Sequence, residues 1–393
     1  MNEYALELGV PARGGYAEVS ATNRLVNQCR QRICTLIGGV RPEGVIFTLN
    51  TTDAMNLAIY GTVRHALQTR PRGQKIHLIT TDLDHNSALR PFNALVAEHD
   101  GRITQTRLRV DPATGMVNPS DLAQAIVPET LLFATVHASN VTGVIASVAE
   151  LGGICRQRGV LFLLDAAQSL GHIPLNVESA QVDLLAMAGH KGLLGPTGTG
   201  ALYIAPGIER LMSTVREGGT GMRSELEAMP SDLPDRFEPG SHNTIGIAGL
   251  NAALGWLLAK GAGVLRAHEL ALTERMLAGL AATPQVTVHG PQEPSRRVGV
   301  FTLTSPHIAP QEFGRRLEAE FGILSRSGLH CAPALHAMLG TAGTSGGTRL
   351  SIGPFTTAAH IDAAVAAVHA IAATPGREFV ELSQPQPALV RNG

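Results

Sequence analysis

Short apolar, β-branched runs recur through the first half of the chain, at 45–49, 76–80, 131–136, 160–164, 183–188 and 201–204. Most are separated by segments whose apolar positions return every three to four residues, the spacing of a helix with one buried face. This alternation predicts an α/β fold with a mainly parallel sheet covered by helices. Beyond about residue 255 the pattern changes. One long helix is expected there, followed by strands at 286–288, 298–303 and 349–352 and helices at 310–321 and 360–373. That half reads as a smaller α+β domain, 255–374, after a large domain that ends near 254. The last stretch, 375–393, is polar and proline-bearing and is expected to stay unstructured.

In parallel sheets, ligands collect at the carboxyl ends of the strands, where loops carry polar residues on a rigid base. The distinctive residues lie at those positions. Thr51 and Thr52 follow the first run, His85 the second and Asn140 the third; Asp165 ends the fourth, and His190 and Lys191 follow the fifth. Five strand ends are therefore expected to face one site.

Charge narrows the partners of that site. Lys plus Arg number 31 and Asp plus Glu 32, a net charge of −1, so no global field draws the chain to nucleic acid or anionic lipid. With 44% hydrophobic residues in 393 there is ample core, and a small-molecule substrate is the natural reading. The start lacks a basic segment followed by an apolar one, and the apolar stretch near 249–265 is interrupted by Asn251 and Lys260. Neither secretion nor membrane spanning is expected, and a cytoplasmic location follows. Four cysteines in a chain this long suit reduced thiols; Cys29, Cys34 and Cys155 sit in helix-like runs and read as packing residues.

A pyridine-ring cofactor needs an anion beside its ring nitrogen, an amine for covalent attachment and donors around its phosphate. Asp165, where the apolar run Leu-Phe-Leu-Leu emerges, can supply the anion, and Gln168 could reach the ring hydroxyl. Lys191, in Gly-His-Lys-Gly-Leu-Leu-Gly, stands in a glycine-rich loop where a desolvated amine can act as nucleophile and base. Taken singly, the aspartate could be a cap and the lysine a solvated loop residue; their joint order favours the cofactor. A nicotinamide site is excluded, because Gly195, Gly198 and Gly200 precede a strand instead of opening a helix. A threonine pair opening a helix, Thr51 and Thr52, can hold an anion. Arg349 can grip a carboxylate through two parallel hydrogen bonds, or be a surface ion pair. Cys331 has His330 beside it and Arg326 five residues earlier, and positive charge there would favour the nucleophilic thiolate. A zinc site of His330, Cys331 and His336 would have only three ligands and is disfavoured, so no metal is expected.

These segments resemble the class V, fold-type I pyridoxal-phosphate enzymes, and among them the cysteine desulfurase and selenocysteine lyase group. The resemblance runs from about residue 14 to 373. Its most specific segment, Arg-Ser-Gly-Leu-His-Cys-Ala at 326–332, is similar to the loop that bears the persulfide cysteine in type II desulfurases. Further matches are Asn-Thr-Thr-Asp-Ala-Met-Asn at 50–56, Asp-His-Asn-Ser at 84–87, Ser-Asn-Val-Thr-Gly at 139–143 and Arg-Phe-Glu-Pro-Gly-Ser at 236–241. The resemblance implies a fold-type I enzyme with a seven-stranded sheet, working as a homodimer with pyridoxal 5'-phosphate. It implies that His85 stacks on the ring, that Asn140 and Arg349, with Arg326 near them, receive the substrate carboxylate, and that Thr52 and His190 bind phosphate. Ala188 stands where many relatives have a phosphate-touching serine, and Ser241 where the family donates a threonine across the dimer interface. Relatives open on an Asp-Asn-Ala-Ala-Thr-like segment that lines the substrate pocket, so residues 1–13 are expected to be a truncated version of that region.

The expected activity is conversion of L-cysteine to L-alanine, with Cys331 carrying the sulfur toward an acceptor protein. Selenocysteine is the close alternative substrate. Another class V aminotransferase, epimerase or lyase with Cys331 incidental is a second reading, and a non-catalytic remnant of the fold a third.

Overall fold

A computed structural model describes residues 1, 2, 4, 17–111, 114–221, 223 and 225–374. The 5–13 part of the expected truncated segment and the tail 375–393 lie outside them. The chain opens with helix α1 (Ala17–Leu36), then β1 (Val45–Thr48), α2 (Thr51–Thr69), β2 (Ile76–Thr81), α3 (Asn86–Glu98), β3 (Ile103–Leu108) and α4 (Pro119–Ala125). It continues through β4 (Thr130–Val136), α5 (Val148–Arg158), β5 (Leu161–Asp165), β6 (Leu184–Ala188) and β7 (Gly200–Ile204). These seven strands form one sheet in the order β1-β7-β6-β5-β4-β2-β3. Only β7 runs against its neighbours. The α/β fold and the mainly parallel sheet match expectation.

The central strands β5, β6 and β7 are buried at every position, which is why they read as unbroken apolar runs. One apolar layer, including Phe133, Phe162 and Tyr203, lies between the sheet and α1, α5 and α6 (Thr244–Lys260). The other, including Met55, Phe92 and Leu202, lies under α2 and α3. Strand β3 was not among the runs read from the sequence. It is the sheet edge, and its Ile-Thr-Gln-Thr-Arg-Leu buries only its two ends. A strand so placed carries little hydrophobic signal.

The second sheet has four strands in the order β10-β11-β9-β8: β8 (Thr287–His289), β9 (Val300–Thr304), β10 (Arg326–Gly328) and β11 (Gly347–Ser351). Its core, with Phe301, Phe313 and Leu317, packs beneath α7 (Ala262–Leu280), α8 (Pro310–Phe321) and α10 (Ala358–Ala373). Strand β10, three residues long, also escaped the pattern reading. The single long helix expected after residue 255 is two helices, α6 and α7, bent by 80°. Gly261, at φ 81°, occupies the break, a backbone state in which a side chain is strained. Among the described residues no single helix is long and apolar enough to cross a membrane.

Candidate active site

Each of the five strand ends contributes to one pocket of about 270 Å³, lined by Thr51, Thr52, His85, Asn140, Asp165, Gln168, His190, Lys191 and Arg326, among others. Asp165 closes β5 at the centre of the sheet. Its carboxylate accepts the Ala167 N–H at 2.9 Å and lies 3.4 Å from the Ser87 hydroxyl. Behind it, the fully buried Asp84 accepts from the Thr80 hydroxyl, the Thr81 N–H and the Val136 N–H at 2.6, 2.7 and 2.9 Å. That carboxylate fastens the ends of β2 and β4 together. Burial pushes its pKa up to about 7, against the pull of these donors.

His85 caps α3, its Nδ1 accepting the Ser87 N–H at 3.0 Å, which leaves the proton on Nε2 and fixes the ring in the pocket wall. Desolvation lowers its pKa, with Asp165 opposing. Lys191 follows β6 through Gly189 and His190. Burial lowers its pKa, Asp165 raises it, and Arg349 and Arg326 lower it further, so the amine is biased toward the neutral, nucleophilic form. The loop can sit here because two glycines lie back to back. A Cβ on Gly192 would stand 2.3 Å from the Leu170 carbonyl oxygen, and one on Gly171 2.1 Å from that of Gly192. The Lys191 and Gln168 loops therefore meet backbone to backbone.

The small sheet supplies the rest. Arg326 on β10 and Arg349 on β11 face each other in register. Two like charges so placed favour an anion between them. Burial, then Arg326, lowers the pKa of Arg349. Arg349 donates to the Asn140 carbonyl oxygen at 3.0 Å, and Asn140 Nδ2 donates to the His330 carbonyl oxygen at 2.5 Å, so the carboxylate candidates and the cysteine loop form one linked group. Cys331 is half-buried, with Sγ 3.5 Å from Nη2 of Arg326, a residue that lines the pocket. An adjoining cavity of about 340 Å³ shares Ala167, Gln168 and Lys191 with the pocket and is otherwise largely apolar.

One expectation changes. His330 does not lend positive charge to Cys331: its ring is turned into the protein and burial pushes its pKa down to about 4, so it is neutral. Arg326 is the cation beside the thiol. Ser241 does not join the Lys191 pocket of its own chain; it lines a separate hollow with Thr48, Asp53, Arg216 and His242. Cys29, Cys34 and Cys155 are buried among apolar side chains, and burial pushes the thiols of Cys29 and Cys155 up to about 12. Among the described residues no cluster of three or more His, Cys, Asp or Glu could hold a metal. Sequence reasoning missed the parts of Ser87 and Asp84. Both lie in the Thr-Thr-Asp-Leu-Asp-His-Asn-Ser run, and a carboxylate and a hydroxyl flanking a cap residue were the available signal.

The pocket suits pyridoxal phosphate by its own unsatisfied groups. Thr51 Oγ1, Asn140 Oδ1 and Arg349 Nε are buried without a hydrogen-bond partner. A phosphate at the start of α2 and a carboxylate near Asn140 and Arg349 would meet these needs.

A sequence model of the family Aminotransferase class-V matches residues 1–364. A probable cysteine desulfurase from Methanothermobacter thermautotrophicus is 30% identical over 364 residues, covering 92% of this chain and 87% of its own. A cysteine desulfurase from Pectobacterium atrosepticum is 29% identical over 371 residues, 94% of this chain and 87% of its own. The solved structure of a cysteine desulfurase from Thermococcus onnurineus NA1 superposes with a TM-score of 0.86 at 28% identity, over 95% of this chain and 90% of the other. CsdA of Escherichia coli does so at 0.81 and 26%, over 94% and 89%. With the strand-end pocket, the lysine loop and the cysteine loop in one place, the chain belongs to the class V aminotransferase family of pyridoxal-phosphate enzymes, in its cysteine desulfurase group.

Proposed function

We propose that this chain is a pyridoxal-phosphate-dependent cysteine desulfurase that converts L-cysteine to L-alanine and leaves the sulfur on Cys331. The observation that carries the reading is the Cys331 sulfur beside Arg326, a residue that lines the pocket, with the cysteine loop tied to Asn140. Asp165, Gln168, His85, Thr51, Thr52 and His190 would hold the cofactor, and Lys191 would be its point of attachment. Bound there, the group supplies a sink for the charge that develops at the substrate α-carbon.

The chain's own residues do the remaining work. Arg349 and Asn140 orient the substrate carboxylate, with Arg326 adding charge. Lys191 Nζ, its pKa lowered by burial, removes the α-proton and can return it. Cys331, its sulfur beside Arg326, attacks the substrate sulfur as the thiolate. The new S–S bond forms as the Cβ–S bond breaks, and the three-carbon fragment takes a proton at Cβ and leaves as alanine. The terminal sulfur on Cys331 then passes to an acceptor thiolate. Selenocysteine presents the same carboxylate and amine to the site.

A division into domains at 14–254 and 255–374 fits this scheme, each sheet bringing one half of the site. A homodimer is part of the reading, because Ser241 in its own hollow is free to serve a neighbouring subunit. Free thiols suit a cytoplasmic setting.

The test is Cys331→Ser. With labelled cysteine and no reductant, the parent protein should show a persulfide on the Cys331 peptide by mass spectrometry and alanine in solution. The variant should keep α-proton exchange and lose both products, because a serine hydroxyl is un-ionised at neutral pH and a poor nucleophile toward sulfur. Alanine and sulfide at the parent rate from Cys331→Ser would refute the mechanism, leaving Cys331 incidental.

A further inference from the structure

The cysteine loop contains a row of buried side chains that the reaction above does not use. His330 and His336 lie with ring centroids 5.3 Å apart, and their nitrogens are linked in series. His330 Nε2 is 3.0 Å from the Arg326 carbonyl oxygen. A carbonyl can only accept, so that nitrogen carries a proton. In a neutral imidazole the other nitrogen, Nδ1, is then an acceptor. Its neighbour, His336 Nε2 at 3.1 Å, must donate to it. His336 Nδ1 is left as an acceptor, and the Thr341 hydroxyl is 2.7 Å away. That hydroxyl is also 3.2 Å from the His336 carbonyl oxygen, but the shorter contact and the direction of the row assign its proton to the ring.

Three hydrogen bonds thus point one way, from Thr341 through His336 and His330 to the backbone of Arg326. The row has this direction while both rings are neutral; a proton added to His336 Nδ1 would turn the Thr341 hydroxyl away to the His336 carbonyl oxygen. Burial pushes both pKa values down to about 4; for His330 the hydrogen bond to the Arg326 carbonyl oxygen opposes this while the charges of Arg349, His336 and Arg326 add to it, and for His336 that of His289 adds to it.

The row is attached to an unusual backbone. His330 and Cys331 have φ of 51° and 59°, in the left-handed region that costs a non-glycine residue about 1–2 kcal/mol. The carbonyl groups of the turn are held by Asn140 Nδ2 and by the Asn86 N–H, which bonds the Cys331 oxygen at 2.8 Å. The only ring adjacent to Cys331 in the chain is that of His330, and it is anchored by His336 from the following helix, α9 (Pro333–Met338).

We propose that His336 is a positioning residue for sulfur transfer: by donating to His330 Nδ1 it holds the left-handed turn that keeps the Cys331 thiol beside Arg326 of the Lys191 pocket. The proposal rests on the reading of Cys331 as sulfur carrier. It predicts a split between two steps. Chemistry at the α-carbon depends on Lys191 and the strand ends; persulfide formation depends also on where Sγ stands, and a displacement of about 1 Å can cost about 10²-fold.

The experiment compares His336→Met, which keeps volume and removes the donor, with His336→Gln, which retains an N–H, both as holoenzymes. Single-turnover persulfide formation on Cys331 should fall about tenfold to a hundredfold in His336→Met. Exchange of the substrate α-proton with deuterated solvent should stay at the parent rate, and His336→Gln should recover most of the loss. Parent-like persulfide formation in His336→Met, or equal loss in the two variants, overturns the proposal. Nitrogen NMR of the parent protein labelled at histidine gives a second measure that needs no variant. It should show His330 and His336 both neutral with the proton on Nε2, and a proton on Nδ1 of either ring overturns the assignment. Cys331→Ser separates the two levels of failure: if it retains sulfide release, the reading of Cys331 fails and takes this proposal with it. If it loses release while His336→Met does not, only the proposal falls.

Discussion

The strand-end rim of the large sheet and the cysteine loop of the small one face the same pocket but are built by different means. At the rim, Asp165 ends a buried strand and Thr51, His85, Asn140 and Lys191 stand three or four residues beyond the ends of others, so their positions follow from the sheet. In the loop, Cys331 stands where it does because of left-handed backbone, a row of imidazoles and two carbonyls held from the large sheet. The rim is positioned by regular structure and the loop by individual contacts. Damage to the rim should therefore remove chemistry outright, whereas damage to the loop should separate one step from another.

The largest effect expected is that of Lys191→Ala. Loss of a positioned base alone costs about 10²–10⁴-fold, and this variant also loses the attachment point. Both α-proton exchange and alanine formation should vanish, with no cofactor fixed to the chain by borohydride. Peptide mapping of the reduced parent should find the label on Lys191; a label on any other lysine would overturn the assignment of the rim.

Arg349→Lys probes the junction between the two regions, since Arg349 lies on β11 and donates to Asn140. An ammonium cannot reproduce a two-pronged grip on a carboxylate. We expect cofactor content to be retained and the apparent affinity for cysteine to fall about tenfold, roughly 1.4 kcal/mol of a charge-assisted hydrogen bond. Spectral titration with cysteine measures it, and unchanged affinity would remove Arg349 from the substrate site.

The last expected effect, a change in how stability depends on pH, sharpens the loop side. His137, His330 and His336 are buried neutral, with pKa values lowered to about 4, against about 6.5 in an unfolded chain. Between those limits the unfolded chain binds more protons than the fold. The stability due to these rings is thus complete above about pH 6.5 and is lost as pH falls toward 4, by up to ~1.4 kcal/mol per pH unit for each ring. Asp84, raised to about 7, acts oppositely, because the fold holds its proton where the unfolded chain releases it. Urea unfolding at pH 5 and pH 7 should show the parent weaker at pH 5 and His336→Gln with a shallower dependence. Identical slopes in the two would mean that the His336 ring does not titrate on unfolding.

What was legible in the sequence divides along the same line. Asp165 and Lys191 could be found because a carboxylate and an amine at the mouths of apolar runs contrast with their surroundings, and the sheet then brings them together. Cys331 was found through its motif, whereas the state of its neighbour was not. A histidine beside a cysteine suggests a cation, yet the direction of the His330 ring depends on His336, Thr341 and the Arg326 carbonyl, none of which the local sequence orders. Strand β3 stayed hidden because an edge strand buries too little to impose alternation. The turn between α6 and α7 stayed hidden because Gly261 sits within an otherwise helical run, where one glycine weakens a helix without dictating a bend.

The left-handed turn at His330 and Cys331 has a consequence for anyone wishing to move it. Two successive residues in that region add about 2–4 kcal/mol that the segment cannot recover within itself. It is recovered from Asn140, Asn86 and the residues of α9. A peptide of residues 326–332, or the same seven residues grafted onto another scaffold, should therefore relax to ordinary backbone and turn its thiol elsewhere. The seven-residue motif is the portable part of the device, and the conformation belongs to its host.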